Sequence, residues 1–188
     1  MEYIYEKENS LDRELCQQII NHFENSSMKY DGVTSAGMNK KIKDTTDLHF
    51  ISEPILFKDI DTILYNELNV NLFKCIEKIN NKCHHLNIIN YTDSGFQIQK
   101  YIKNTGKYLY HNDSQINFQE KKSRVLTYLW YLNDVEEGGE TEFFGNYKIK
   151  PICGKFVLFP ATWTFPHCSN VPKSSDKYII TGWIYEYY

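Results

Sequence analysis

The stretch Arg124-Val125-Leu126-Thr127-Tyr128-Leu129-Trp130-Tyr131-Leu132-Asn133 is rich in the β-branched and aromatic side chains that strands favour. From residue 96 onward, similar short runs with a period of two alternate with Gly, Asn or Pro breaks. We expect strands near residues 96–102, 108–113, 124–132, 140–144, 147–150, 155–160, 163–168 and 177–187. Eight short strands with almost no helical pattern among them predict a double-sheet jelly roll (a double-stranded β-helix) or a barrel, and we favour the jelly roll.

The first ninety residues show helical periodicity instead. One helix is predicted by apolar side chains at every fourth position, Leu11, Leu15, Ile19 and Phe23, and Asn9 or Ser10 is expected to cap it. A second helix starting at Pro54 is expected to carry on one side Leu56, Ile60, Ile63 and Leu64. A third has the spacing of Leu72, Cys75, Ile76 and Ile79. The fold class is therefore mainly β with N-terminal helices packed on one sheet.

Length and composition fit one soluble unit. We expect 188 residues to form a single domain, with helical support over 1–90 and a jelly-roll core over 96–188. The net charge of -3 offers no broad basic face, which argues against nucleic acid as a partner. The sequence has no long apolar run for a membrane and no signal-peptide pattern. Five cysteines without C-x-x-C spacing indicate reduced thiols, so we expect a cytoplasmic protein.

A possible metal site lies in the strand region. His111 and Asp113 are two residues apart on a predicted strand, so both side chains point to one face. The pair alone is a weak signal, since polar residues at a strand end are common. The other histidines fall in the helical half, except His167. Two imidazoles and one carboxylate leave open positions on an ion, an arrangement that suits Fe(II) better than zinc.

Residues 97–185 resemble the catalytic domain of prolyl 4-hydroxylases and of the related prolyl hydroxylases of oxygen sensing, members of the Fe(II)/2-oxoglutarate oxygenase superfamily. The matching pieces follow the family's order: Tyr101, the His-x-Asp pair at 111–113, residues 124–133, the Gly-Gly-x-Thr-x-Phe-like stretch 137–143, residues 154–160, His167 and Lys177. An ordered set of such pieces with matching gaps is far more specific than any one of them.

The resemblance implies a role for each matching position. His111, Asp113 and His167 are the implied iron ligands, and Lys177 the implied partner of the distal carboxylate of 2-oxoglutarate. Further contacts to the cosubstrate are implied for Tyr101, Leu129, Tyr131, Thr181 and Trp183. For the aromatic residues the alternative is core packing, and for Lys177 it is a solvated cation at a strand end. No catalytic residue is expected beyond the metal centre, and Arg124 is expected to be a surface charge rather than a substrate contact.

The implied activity is hydroxylation of an unactivated C–H bond, with release of succinate and CO₂ from 2-oxoglutarate. The resemblance also implies a requirement for Fe(II), 2-oxoglutarate and O₂, with ascorbate as the expected reductant. Peptidyl proline is the favoured substrate, and residues 28–44 and 114–123 are loops that could cover it. The alternatives are the same chemistry on a free amino acid or other small molecule, or a non-catalytic metal-binding jelly roll. The oligomeric state is not readable from the sequence.

Overall fold

The computed structural model describes residues 2–83, 88 and 90–188; His84 and His85, which we placed in the helical half, lie outside the described residues. The elements in chain order are β1 (Tyr5–Lys7), α1 (Arg13–Asn25), β2 (Tyr30–Asp31), β3 (Lys43–Asp44), β4 (Thr46–His49), a 3-10 turn (Phe50–Ser52), α2 (Pro54–Cys83), β5 (Tyr91–Asp93), β6 (Gln97–Tyr101), β7 (Lys107–His111), β8 (Ile116–Asn117), β9 (Lys122–Tyr131), β10 (Thr141–Phe143), β11 (Tyr147–Ile149), β12 (Phe156–Pro160), β13 (His167–Ser169) and β14 (Lys177–Tyr187).

The strands form two antiparallel sheets. The larger has the order β1-β12-β9-β14-β6-β4-β2, with β5 also on β14 and β8 also on β9. The smaller has the order β11-β10-β13-β7-β3. This arrangement confirms the predicted jelly roll. The strand expected over 163–168 begins later, at His167, because a turn in which the Phe165 amide donates to the Thr162 carbonyl precedes it.

The expectation of two helices between residues 54 and 79 was wrong, because α2 runs unbroken from Pro54 to Cys83. Its interior contains no Gly or Pro, and its buried side chains keep a spacing of three or four throughout: Phe57, Ile60, Leu64, Leu68, Leu72, Cys75 and Ile79. The buried face also differs from the expected one. Leu56 and Ile63 are 41% and 43% exposed.

The start of α1 differs from its predicted cap. Asp12 is the N-cap, and its Oδ1 accepts from the Leu15 amide at 2.7 Å. Ser10 instead links α2 to the larger sheet, since its hydroxyl accepts from Asn71 Nδ2 at 3.0 Å and from Trp130 Nε1 at 3.1 Å.

The four short strands β1 to β4 lie in the half expected to be mainly helical. Two to four residues are too few to show a period in the sequence.

Strand β9 separates two apolar cores through its alternation. Leu126, Tyr128 and Trp130 face the buried sides of α1 and α2, which confirms that the helices pack on one sheet. Leu129 and Tyr131 belong to a second core between the two sheets.

The four cysteines that the structure describes with their side chains, Cys16, Cys75, Cys153 and Cys168, are buried free thiols. Within the described residues, no helix has the length and apolarity to cross a bilayer.

Candidate metal and cosubstrate site

Two histidines that are distant in sequence meet at the edge of the smaller sheet. His111 ends β7, His167 begins β13, and the antiparallel pairing of these strands places the two residues opposite each other. Their ring centroids are 4.3 Å apart. Asp113 follows β7 by two residues. Sheet register, which spacing alone does not reveal, is therefore what assembles the predicted triad.

The side chains of the triad converge. Asp113 Oδ1 lies 3.7 Å from His111 Nε2, and Asp113 Oδ2 lies 3.6 Å from His167 Nε2. One ligand atom from each residue falls within 4.8 Å of the other two, and among the described residues these three form the one such group of His, Cys, Asp or Glu. The spacing allows all three to contact a single ion.

Hydrogen bonds orient the ligand atoms. Nδ1 of His111 donates to the Leu109 carbonyl at 2.8 Å, and Nδ1 of His167 donates to the Phe165 carbonyl at 3.1 Å. The acceptors assign a proton to Nδ1 in each ring, so the Nε2 atoms of both rings are directed at the shared space. Thr127 Oγ1 donates to Asp113 Oδ2 at 2.7 Å and fixes the carboxylate. The donor set thus fits a 2-His-1-carboxylate iron centre.

The ionisation states of the site also suit a cation. Burial and the neighbouring His167 lower the pKa of His111 to about 4, so this imidazole is neutral at pH 7. Burial acts to raise the pKa of Asp113, but His167, His111 and the Thr127 hydrogen bond outweigh it and hold that pKa below its usual value. A neutral imidazole beside an ionised carboxylate is the state that binds metal.

Lys177 lies across the same cavity, at the start of β14. Its side chain is almost fully buried, with the residue only 1% exposed, which contradicts the alternative of a solvated cation. The ammonium donates to the Gly139 carbonyl at 2.9 Å and to the Ser169 hydroxyl, and it lies 4.2 Å from the ring centroid of Tyr101. Burial lowers the pKa of Lys177 to about 7.

One inner cavity contains most of the predicted residues. It is lined by the triad together with Tyr101, Leu129, Lys177, Thr181 and Trp183. Tyr131 lies behind Thr141, to whose hydroxyl its own donates at 2.6 Å, and Thr141 faces the cavity in its place. Gln99 and Ser169 also line the cavity and were missed. Each lies two residues from a predicted site residue, so strand alternation would have identified them.

A second, outer cavity opens beside the triad. The two cavities share Gln99, Tyr108, Asp113 and Trp183. Arg124, which we expected to be a surface charge, lines the outer cavity: its guanidinium lies 3.6 Å from the ring centroid of Trp183 and donates to the Tyr185 hydroxyl at 3.1 Å. The outer cavity therefore adjoins the inner cavity at Asp113 of the triad.

Comparison with protein families identifies one match. Residues 96–185 match the family described as the 2OG-Fe(II) oxygenase superfamily. The matched segment begins just before β6 and ends within β14, so it contains the triad and Lys177. The comparison with curated proteins finds no matching sequence.

Solved structures with the same fold include three prolyl hydroxylases. The viral collagen prolyl hydroxylase of Paramecium Bursaria Chlorella virus-1, in complex with 2OG, is 20% identical with a TM-score of 0.69, over 98% of this chain and 96% of the other. A Trichoplax adhaerens prolyl hydroxylase, in complex with a hypoxia inducible factor peptide fragment, is 20% identical with a TM-score of 0.77, over 99% and 84%. A Pseudomonas putida prolyl-4-hydroxylase is 15% identical with a TM-score of 0.66, over 97% and 92%. The TM-scores show a shared fold, and at identities this low they show the fold alone.

Proposed function

We propose that this dioxygenase, whose residues 96–185 match the 2OG-Fe(II) oxygenase superfamily, hydroxylates a peptidyl proline. His111, Asp113 and His167 hold Fe(II), and Lys177 binds the distal carboxylate of 2-oxoglutarate. The family implies Fe(II), 2-oxoglutarate and O₂ as requirements. Ascorbate serves as reductant.

The observation that carries the proposal is the placement of the triad and Lys177 in one cavity. A dicarboxylate that reaches the metal with its 2-oxo acid end presents its other carboxylate several ångströms away, where a fixed cation is needed. Lys177, held by Gly139 and Ser169, offers that cation as a point charge. Tyr101 packs under the ammonium, while Leu129, Thr181 and Trp183 line the walls of the same cavity.

Bound Fe(II) would supply the redox chemistry, and the chain would supply position and polarity. Thr127 orients Asp113, and backbone carbonyls orient the two imidazoles. The Thr181 hydroxyl donates to the Tyr128 carbonyl at 3.0 Å, which fixes its side chain on the cavity wall. In this proposal these groups bind and orient, and none of them transfers a proton.

A peptide substrate is supported by the outer cavity and by the named relatives. The outer cavity borders Asp113, and its walls include residues from both predicted loops, among them Thr34 and Ser114. The viral relative is named a collagen prolyl hydroxylase, and the Trichoplax enzyme was solved with a peptide fragment. An extended peptide lying across such a mouth presents one side chain to the metal.

The experiment measures succinate from 2-oxoglutarate with Fe(II) and ascorbate, against collagen-like and hypoxia inducible factor peptides, poly-L-proline and free amino acids. We expect succinate formation to rise with a proline-containing peptide, which gains one oxygen atom by mass spectrometry. The His167→Ala variant is the matched control and should form no succinate above background. Hydroxylation of a free amino acid alone would assign the same chemistry to a small molecule. Iron binding without succinate would leave a non-catalytic metal-binding protein.

A further inference from the structure

A buried ion pair lies beside the outer cavity, outside the metal and cosubstrate site. Lys43 Nζ and Asp47 Oδ2 are 2.7 Å apart, and the two side chains are only 5% and 0% exposed. Burying two charges carries a large desolvation cost, and replacing such a pair by apolar residues of similar size is often neutral or stabilising. Fold stability is therefore a poor explanation for this pair, and its location points to a specific positional role.

The Lys43–Asp47 pair connects the two sheets where they meet the outer cavity. Lys43 lies on β3 of the smaller sheet, opposite Tyr108, and Asp47 lies on β4 of the larger sheet, opposite Gln99. Thr45 is the single residue between these two strands. The Lys43 ammonium is also 5.5 Å from the ring centroid of Tyr108, which stacks on His111 with centroids 3.5 Å apart. The pair thus spans the gap between the sheets next to the triad.

The same pair holds the segment 32–42, which connects β2 to β3. Lys43 Nζ donates to the Val33 carbonyl at 3.4 Å, and the Gly32 amide donates to the Thr45 carbonyl at 2.9 Å. Val33 and two residues that follow it wall the outer cavity. Gly32 packs so closely that an added Cβ would meet Thr45 Oγ1 at 2.0 Å and Lys43 Cε at 3.0 Å. The segment is therefore fixed at its base by the buried pair.

Two glutamines extend the contacts of Asp47 to the cosubstrate cavity. Gln97 Nε2 donates to Asp47 Oδ2 at 3.3 Å, and Gln99 Nε2 donates to Gln97 Oε1 at 2.9 Å. The Tyr101 hydroxyl donates to Gln99 Oε1 at 2.9 Å, directly under Lys177. These side chains are buried, so a displaced Asp47 leaves Gln97 without one of its partners.

We propose that Lys43 and Asp47 are positioning residues that clamp the two sheets at the outer cavity and hold segment 32–42, whose residues 33–35 form part of the cavity wall, so that they set the fit of the substrate. The role in substrate fit rests on the function proposed above. The clamp does not, because it is a property of the free protein. It can therefore be tested without turnover.

The test is limited trypsin digestion, because Lys40 and Lys41 are exposed within segment 32–42. In Asp47→Asn the shape is kept and the charge is lost, and we expect cleavage after Lys40 or Lys41 to accelerate by at least about fivefold. The matched control is Asp31→Asn, which removes the exposed Lys40–Asp31 pair of the same region and should change the rate by less than about twofold. Gly32→Ala displaces the pair sterically with both charges retained, and should accelerate cleavage as Asp47→Asn does.

The reference within each digest is cleavage after Lys103, an exposed site in another turn. Equal acceleration at Lys103 would show that the pair only stabilises the fold. An unchanged cleavage rate in both Asp47→Asn and Gly32→Ala would show that the pair does not hold the segment. Either result overturns the proposal.

With the peptide that is turned over best, we further expect Asp47→Asn to raise KM for the peptide more than KM for 2-oxoglutarate. A larger effect on 2-oxoglutarate would contradict a substrate-positioning role. If no peptide is turned over but Asp47→Asn accelerates cleavage of segment 32–42, the proposed function is contradicted and the clamp is supported.

Discussion

Lys177 is a buried ammonium whose hydrogen-bond partners, a backbone carbonyl and a hydroxyl, carry no charge. No carboxylate forms an ion pair with it among the residues that the structure describes. Burial consequently lowers its pKa to about 7. A bound carboxylate would provide the missing countercharge and favour the protonated form.

This predicts a pH dependence of cosubstrate binding. Lys177 is largely protonated below pH 7 and loses its proton above it, whereas the bound dicarboxylate requires the ammonium. The Kd for 2-oxoglutarate should therefore rise by about tenfold from pH 8 to pH 9, with proton uptake on binding. Anaerobic titration calorimetry with Mn(II), in two buffers of different ionisation enthalpy, measures both.

The matched variant is Lys177→Arg, whose guanidinium stays charged across this range. Its 2-oxoglutarate affinity is expected to be nearly independent of pH. If the wild type binds without taking up protons at pH 8, the distal carboxylate does not depend on Lys177.

The triad makes a prediction about metal affinity. His111→Ala and His167→Ala each remove one ligand, and we expect Fe(II) affinity to fall by more than about 100-fold, since partners outside the coordination sphere alone are worth roughly 10–100-fold. Metal analysis after anaerobic dialysis is the measurement. His22→Ala is the control: this half-buried histidine of α1 packs against Phe57, away from the triad, and the variant should bind iron as the wild type does. Normal iron content in either ligand variant would remove that histidine from the proposed set.

At the scale of single residues, much of the candidate site could be predicted from the sequence. Spacing and resemblance predicted that His111, Asp113, His167 and Lys177 lie together, and the structure places all four around one cavity, although β7 ends at His111 and Asp113 lies beyond it. Strand alternation would also have predicted Gln99 and Ser169, which lie two residues from Tyr101 and His167. Lys43 and Asp47 were not, because they meet only where the chain crosses from one sheet to the other, and residues 28–44 show no period that would reveal it.

Helix α2 illustrates a limit at the scale of secondary structure. Its apolar residues lie on more than one side, so periodicity places Ile63 and Leu64 together, whereas the structure exposes 43% of Ile63 and none of Leu64. Which side is buried depends on the contact with the larger sheet. A single-sequence pattern contains no information on that contact.

The assigned face can be tested by truncation. Leu64→Ala should lower the free energy of unfolding by about 2–5 kcal/mol, because it leaves a cavity in the core between α2 and the larger sheet. Ile63→Ala, its neighbour, should cost less than about 1 kcal/mol. Urea denaturation of the two variants is the measurement. Equal losses would mean that the helix is rotated relative to the face assigned here.

The whole molecule shares one large core between its helical and strand halves. Residues of α1, α2 and the larger sheet, including Phe23, Leu64 and Trp130, form a single cluster. This sharing favours the predicted single domain over 1–188, which stays a prediction. The jelly roll was predictable because its long strands alternate clearly. The edge strands and the outer cavity were not, since they depend on pairings between short segments distant in sequence.

A shared core predicts cooperative unfolding. Helix loss, followed by far-ultraviolet circular dichroism, and exposure of the buried Trp130, followed by tryptophan fluorescence, should occur at the same urea concentration. Trp163 is 75% exposed and should contribute little to the change. If the helical signal is lost well before the fluorescence changes, the N-terminal helices form a separate unit.

The most direct test of the central claim is anaerobic equilibrium dialysis of labelled 2-oxoglutarate with and without Fe(II). We predict about one 2-oxoglutarate per chain when Fe(II) is present, little without it, and little with or without it in His167→Ala. Equal binding in the absence of iron, or undiminished iron-dependent binding in His167→Ala, would contradict a cosubstrate held between this triad and Lys177.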